Sequence, residues 1–216
     1  MKQPDPDNEL TYFSTTTLFD IAKEAYRRSI SSKHENQLCN DALVAIVFAT
    51  STLEAWISQT IFIAKKWTKM PPKIIEDFAN LLGGELDSAS LKTKYLMSHW
   101  VICGKRFERD AEPYHNFKLL VDIRNSLIHL KPDKVGTERI QKTLSQLKSK
   151  ELISDFDPNA LRRMSWVLYI SNPRIAKWAC NTAASMIQQF VKWPSEEQVK
   201  QFFKFAAYAL YFKPVE

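Results

Sequence analysis

This sequence predicts an all-α fold: a single-domain helical bundle around one long apolar helix. Three observations predict it. Glycine is scarce, with Gly83, Gly84, Gly104 and Gly136 the only four in 216 residues, which argues against a turn-rich β fold. No long run alternates apolar and polar residues, whereas apolar residues recur at helical spacing throughout. Prolines and glycines fall between those stretches, where helices start and stop.

The elements follow in order. Residues 1–14 are expected to be loosely ordered and residues 15–216 to form one helical domain. A first helix is predicted from about Thr16 to Ser31, capped by Ser14 or Thr15, with Leu18, Ile21, Ala22, Ala25 and Ile30 as its apolar face. The long apolar helix runs from about Asn36 to Thr68. Pro71-Pro72 breaks the chain and starts a short helix that ends at Gly83-Gly84. The next helix spans about 88–103, carries Leu91, Tyr95, Leu96, Trp100 and Val101, and stops at Gly104. A charged loop, GKRFERDAEP, is expected to be exposed. Pro113 then opens a helix carrying Phe117, Leu120, Ile123 and Leu127, which Pro132 ends. Further helices are predicted at about 137–149, 158–170, 173–192 and 195–212.

Composition narrows the class. Hydrophobic content of 45% and charged content of 25% are those of an ordinary globular protein. The net charge of +6 is compatible with a polyanionic partner. Cys39, Cys103 and Cys180 are odd in number and far apart, with no metal-ligand spacing, so neither disulfides nor a metal site is expected and a reducing cytoplasm is the expected compartment. No cofactor is expected: there is no Gly-rich phosphate loop, HExxH or GxSxG pattern. The opening MKQPDPDNELTYF is polar and acidic and does not read as a signal peptide. Residues 42–64 are long and apolar enough to span a bilayer. Glu54 in their middle, among Thr50, Ser51, Thr52, Ser58, Gln59 and Thr60, favours the central helix of a bundle instead.

The most informative stretch is Leu119 to Pro132. It reads as an apolar helix ending in Arg124-Asn125, then His129. An arginine followed by a histidine five to seven residues later is cheap: Arg27/His34, Arg28/His34 and Arg109/His115 also satisfy it. Only Arg124/His129 lies within a predicted helix with apolar residues before and between, and only there does Asn follow the Arg.

The stretch LLVDIRNSLIHLKPD resembles the signature of HEPN domains (higher eukaryotes and prokaryotes nucleotide-binding), Arg-Asn-x-x-x-His in its commonest form. The segment ALVAIVFATSTLEAWIS resembles the long HEPN helix that packs against the motif helix. The resemblance covers about residues 15–132, with 133–216 read as a helical C-terminal extension. It implies a helical domain that dimerises, so that two motifs meet and form a metal-independent ribonuclease site from Arg124, Asn125 and His129. It also implies a toxin or antiviral-defence role, with an antitoxin or regulatory protein as a possible partner. Where one HEPN subtype has Tyr two residues after the His, this chain has Lys131, a departure from that subtype. Some HEPN domains lack catalysis and only bind nucleotides, RNA or partner proteins.

The chemistry can also be argued from the residues. Positions five apart on an α-helix are separated by roughly 140°, so Arg124 and His129 of one chain do not share a face, whereas Asn125 and His129 do. A site composed across a dimer resolves this. Imidazole titrates near neutrality and suits acid or base work, and the negative end of a helix favours a cation. In the expected scheme His129 withdraws the ribose 2′-hydroxyl proton, Arg124 binds the non-bridging phosphate oxygens and Asn125 orients the phosphate or His129. Lys131 and Lys134, directly after the motif, are candidate RNA contacts. Glu54 reads either as a buried partner that fixes Arg124 or as part of an exposed stripe, the first being preferred because a buried carboxylate needs a cation. The bland reading of Arg124 and His129 is a solvated helix end. His99 and His115 read as structural or surface residues, and the aromatics of residues 166–212 as core or oligomer interface.

Overall fold

The computed structural model of the chain describes residues 14–31, 39–67, 71–105, 107–108, 111–129, 138–156 and 165–216. The protein is all-α, with no strand among the described residues. Helix α1 spans Thr15–Ser31 and α2 spans Asn40–Lys65. The two share the most extensive helix contact in the fold. Ala22 and Ala25 of α1 and Ala42, Ala45 and Ala49 of α2 are all fully buried, and side chains this short let two helices approach closely.

The buried face of α1 runs through Thr15, Phe19, Ala22, Ala25, Tyr26 and Ser29, so Ala22 and Ala25 of the expected face are buried. It is turned away from the Leu18–Ile21–Ile30 edge that spacing selects, and Ile30 is exposed. The far end of the chain is the cause. Phe19 packs on Phe212 at 5.3 Å between ring centroids, and the Tyr26 hydroxyl donates to the Glu216 carbonyl at 2.8 Å.

Among the described residues α2 is the one helix long and apolar enough to cross a membrane, and half of its most apolar window is buried. Helices α1, α3, α5 and α8 all pack on it. Its threonines are satisfied within the helix, Thr50, Thr52 and Thr60 donating to carbonyls four residues back at 2.9, 2.7 and 2.8 Å, while Gln59 accepts from Thr15 of α1 at 2.6 Å. The helix is shorter at both ends than the expected 36–68, with Cys39 as its N-cap and Lys66 as its C-cap; residues 36–38 and 68 lie outside the described residues.

Helix α3 (Lys73–Asn80) starts after Pro71-Pro72 as expected. It does not stop at the glycines but passes through them as a π turn, Leu81–Glu85. Gly83 is required there by close approach, since a Cβ would run into Ile61 and Lys65 of α2, and Lys65 Nζ donates to the Gly83 carbonyl at 2.5 Å.

Helix α4 (Leu91–Cys103) is capped by Ser90, whose hydroxyl accepts from the Thr93 amide, and ends at Gly104 with φ of 66°. That left-handed conformation is one glycine adopts without strain. The following loop is not wholly exposed. Phe107 is half-buried and lies 4.5 Å from His99, 4.6 Å from Tyr114 and 5.5 Å from Trp193.

Helix α5 (Tyr114–Ile128) follows Pro113, and His129 caps its C-terminal end. Pro132, expected to end it, is outside the described residues. Helix α6 spans Glu138–Ser149 and α7 spans Val167–Ile170; residues 158–164 of the predicted 158–170 helix lie outside the described residues, as do 1–13. Helix α8 (Pro173–Lys192) has Asn172 as its cap and Pro173 in its first turn, at the predicted bounds.

The predicted 195–212 helix is broken. Helix α9 covers only Glu197–Gln201, a π turn follows at Phe202–Ala206, Tyr208 is left-handed and a 3₁₀ turn covers Ala209–Tyr211. Packing explains the break. Phe202, Phe203, Ala207, Ala209 and Phe212 are all buried, a set that no straight helix turns to one side. Trp56 also donates its indole N–H to the Ala207 carbonyl at 2.8 Å.

The core closes around Phe190 of α8. Its ring lies 4.5 Å from Trp56, 4.5 Å from Trp193, 5.2 Å from Phe203 and 5.6 Å from Tyr95. The C-terminal residues therefore fill the same core as α2 and α4. Phe190→Ala is expected to destabilise the protein by about 3–5 kcal/mol. Phe205→Ala, at a ring 60% exposed, should cost under about 0.5 kcal/mol. Urea unfolding of the two variants measures the contrast.

His99 belongs to this core. Its Nδ1 lies 3.0 Å from the Lys105 carbonyl, and burial holds its pKa below the ordinary 6.5 despite that hydrogen bond. A histidine depressed in the folded state binds its proton more readily when unfolded. Its contribution is complete above about pH 6.5 and is lost as pH falls below that value. Unfolding measured between pH 7 and 5 should show this loss, and His99→Gln should flatten that limb.

Candidate active site

The last turns of α5 carry Arg124 and Asn125, with His129 at the cap. The Arg124 guanidinium is held from two directions. Its Nη1 donates to Asn125 Oδ1 at 3.0 Å, and its Nη2 donates to the Glu54 carboxylate of α2. The Arg124 side chain is 15% exposed and that of Glu54 44% exposed. Glu54 is thus the cation's partner without being buried, so both features expected of alternative readings occur together. The Arg124 Nε is buried with no hydrogen-bond partner.

The geometry separates His129 from this cluster. Its backbone N–H donates to the Asn125 carbonyl at 3.0 Å, closing the last turn, while the residue itself is exposed. Ile128 beside it is 53% exposed. One chain therefore joins Arg124, Asn125 and Glu54, and leaves the imidazole facing outward. Lys131 and Lys134 lie outside the described residues. So do His34 and Arg109, which leaves Arg124/His129 as the Arg/His pair whose geometry is described in full.

Several neighbours carry no role in the sequence reading. Asp122, two residues before Arg124, accepts from Lys92 at 2.6 Å and from Arg139 at 2.9 Å. Glu54 also lines a cavity of about 200 Å³ together with Ile57, Ser58, Ala89, Leu91 and Lys94. A sequence signal for part of this existed: Ser58 stands four residues after Glu54 and so on the same helix face. Lys94 comes from another helix and had no such signal. The phenol of Tyr95, donating to the Leu53 carbonyl at 3.1 Å, is held well above its ordinary pKa by burial and then by the Glu54 charge, so it stays protonated. Burial likewise raises the Cys103 thiol and pushes Cys180 up to about 12; neither is poised as a thiolate nucleophile.

Among the described residues no three His, Cys, Asp or Glu side chains converge as a metal site would require, and no disulfide joins the cysteines. Chemically, the arrangement offers a guanidinium fixed by a carboxylate and a carboxamide, and an accessible imidazole one turn away. Comparison with family models, curated proteins and solved structures found no match to this chain.

The Glu54–Arg124 pair is partly exposed, so its energy is modest. A double-mutant cycle with Glu54→Gln and Arg124→Gln, read by urea unfolding, should give a coupling of about 1 kcal/mol or less.

Proposed function

We propose that this chain is a metal-independent endoribonuclease of the HEPN type, active as a homodimer whose site is composed from both copies. The observation that carries the reading is the polar end of α5: Arg124 is anchored by Glu54 and Asn125 while His129 remains exposed at the helix cap. A fixed cation beside a free base is what phosphodiester cleavage uses. Exposed Ile128 next to His129 supports the pairing of two copies at this end, since an apolar side chain there gains by being covered.

In this scheme one His129 takes the 2′-hydroxyl proton, and the oxygen attacks the adjacent phosphorus. The bond from phosphorus to the 5′-oxygen breaks, and the leaving oxygen takes a proton from the second His129. The products are a 2′,3′-cyclic phosphate and a 5′-hydroxyl. Arg124 has two of its five N–H groups engaged by Glu54 and Asn125, and a remaining Nη–H can meet a non-bridging oxygen. Asn125 fixes the guanidinium as well as the phosphate. Lys131 and Lys134 are candidate RNA contacts in the same scheme. A toxin or antiviral-defence role in the cytoplasm, restrained by an antitoxin or regulatory protein, completes this reading and rests on the motif's resemblance.

The low exposure of the Arg124 side chain, 15%, favours a second reading. There the chain is a non-catalytic HEPN-like module that binds nucleotides, RNA or a protein, and Arg124 is structural. Purified protein incubated with mixed RNA in EDTA separates the two. Cleavage with cyclic-phosphate ends is expected from the wild type, and a loss of at least about a hundredfold from His129→Ala. Cleavage abolished by EDTA or indifferent to His129→Ala would exclude the scheme, and binding that survives both Arg124→Ala and His129→Ala without cleavage identifies the module. Toxicity on expression, relieved by either change, is the matching outcome in cells.

A further inference from the structure

We infer that the cavity between α2 and the first turn of α4 is a nucleotide subsite, in which Lys94 holds an RNA phosphate next to the one that is cleaved. The inference rests on the endoribonuclease reading and deepens it.

The cavity and the Arg124 cluster share a wall. Glu54 pairs with Arg124 and also lines the cavity, with Ser58 one turn further along α2 and Lys94 facing from α4. A strand laid across Arg124 therefore continues into this space. At about 200 Å³ it is below the usual size of a drug-like ligand pocket, and fits one unit of a chain better than a free ligand held by itself.

The charges suit a phosphate. Arg124 neutralises Glu54, so the carboxylate does not cancel Lys94. No ion-pair partner of Lys94 occurs among the described residues, whereas Lys92 is paired with Asp122. Around the cavity and the motif, Lys92, Lys94, Arg124 and Arg139 bring four cations against two carboxylates, Glu54 and Asp122. One of the two surplus charges is shared by Lys92 and Arg139 around Asp122; the other lies on Lys94, where it favours an anion.

The chemistry also selects a nucleotide over bare phosphate. A carboxylate accepts hydrogen bonds and donates none, so its oxygen not engaged by Arg124 suits a ribose hydroxyl or a base N–H. Lys94 and the Ser58 hydroxyl donate, and suit phosphate oxygens. Ile57, Ala89 and Leu91 supply an apolar wall for a sugar or base.

The test is equilibrium binding of a labelled single-stranded RNA, read by fluorescence anisotropy in the His129→Ala background so that cleavage plays no part. Lys94→Gln is expected to weaken binding about tenfold at low salt. The slope of log affinity against log salt should fall by about 0.7, the value for one phosphate of a single strand. Lys94→Arg should retain binding. Lys204→Gln, which removes the same charge on the C-terminal π turn, should leave it unchanged. Equal weakening by Lys94→Gln and Lys204→Gln would reduce the effect to net charge and overturn the subsite, as would binding indifferent to Lys94 or absent altogether. Inorganic phosphate displacing the RNA as well as a mononucleotide would overturn the nucleotide assignment. Failure of the nuclease reading shows separately, as absence of cleavage by the wild type, and leaves this binding result intact.

Discussion

Helix α2 presents apolar or small side chains on nearly every side, and a surface of that kind must be covered. Everything else in the fold follows from how it is covered. Alanines at 42, 45 and 49 admit α1 closely, and Leu53, Trp56 and Ile57 take the larger side chains of the remaining core. Each fully buried large side chain contributes on the order of 1.5–3 kcal/mol, so α2 is the element whose burial the chain cannot forgo. The same pattern would suit a bilayer; in this fold α1, α3, α4, α5 and α8 all pack on it, and half of its most apolar window is buried.

One consequence reaches the functional site. Because α2 sits at the centre, a polar residue on it is aimed at a neighbour and not at bulk water. Glu54 is that residue, and the neighbour is Arg124 of α5. The pair ties the motif helix to the central helix, and it also positions the guanidinium beside Asn125. The orphaned Nε of Arg124 is the accompanying cost, a buried donor left without an acceptor.

The C-terminal residues take part in this arrangement in a way their sequence does not announce. Phe190 stands among Trp56, Tyr95, Trp193 and Phe203, and Phe212 lies on Phe19. The motif-bearing part of the chain is thus supported by a layer drawn from the last fifty residues. That support explains why α1 turns Phe19 and Tyr26 inward, and why α9 gives way to a π turn where consecutive phenylalanines must both be buried.

The all-α class, the bounds of α8 and the Gly104 stop belong to local chemistry, and helical periodicity, proline and glycine express them in the sequence itself. The candidate residues Arg124, Asn125 and His129 were legible for the same reason, as polar groups that a core helix does not need. The half-exposed state of Glu54, the rotation of α1, the break after Gln201 and the placing of Lys94 and Ser58 on one cavity were not legible. These depend on contacts between residues tens to nearly two hundred positions apart. A single helix records only its own face, and which partner meets that face is decided when all the helices compete to cover α2.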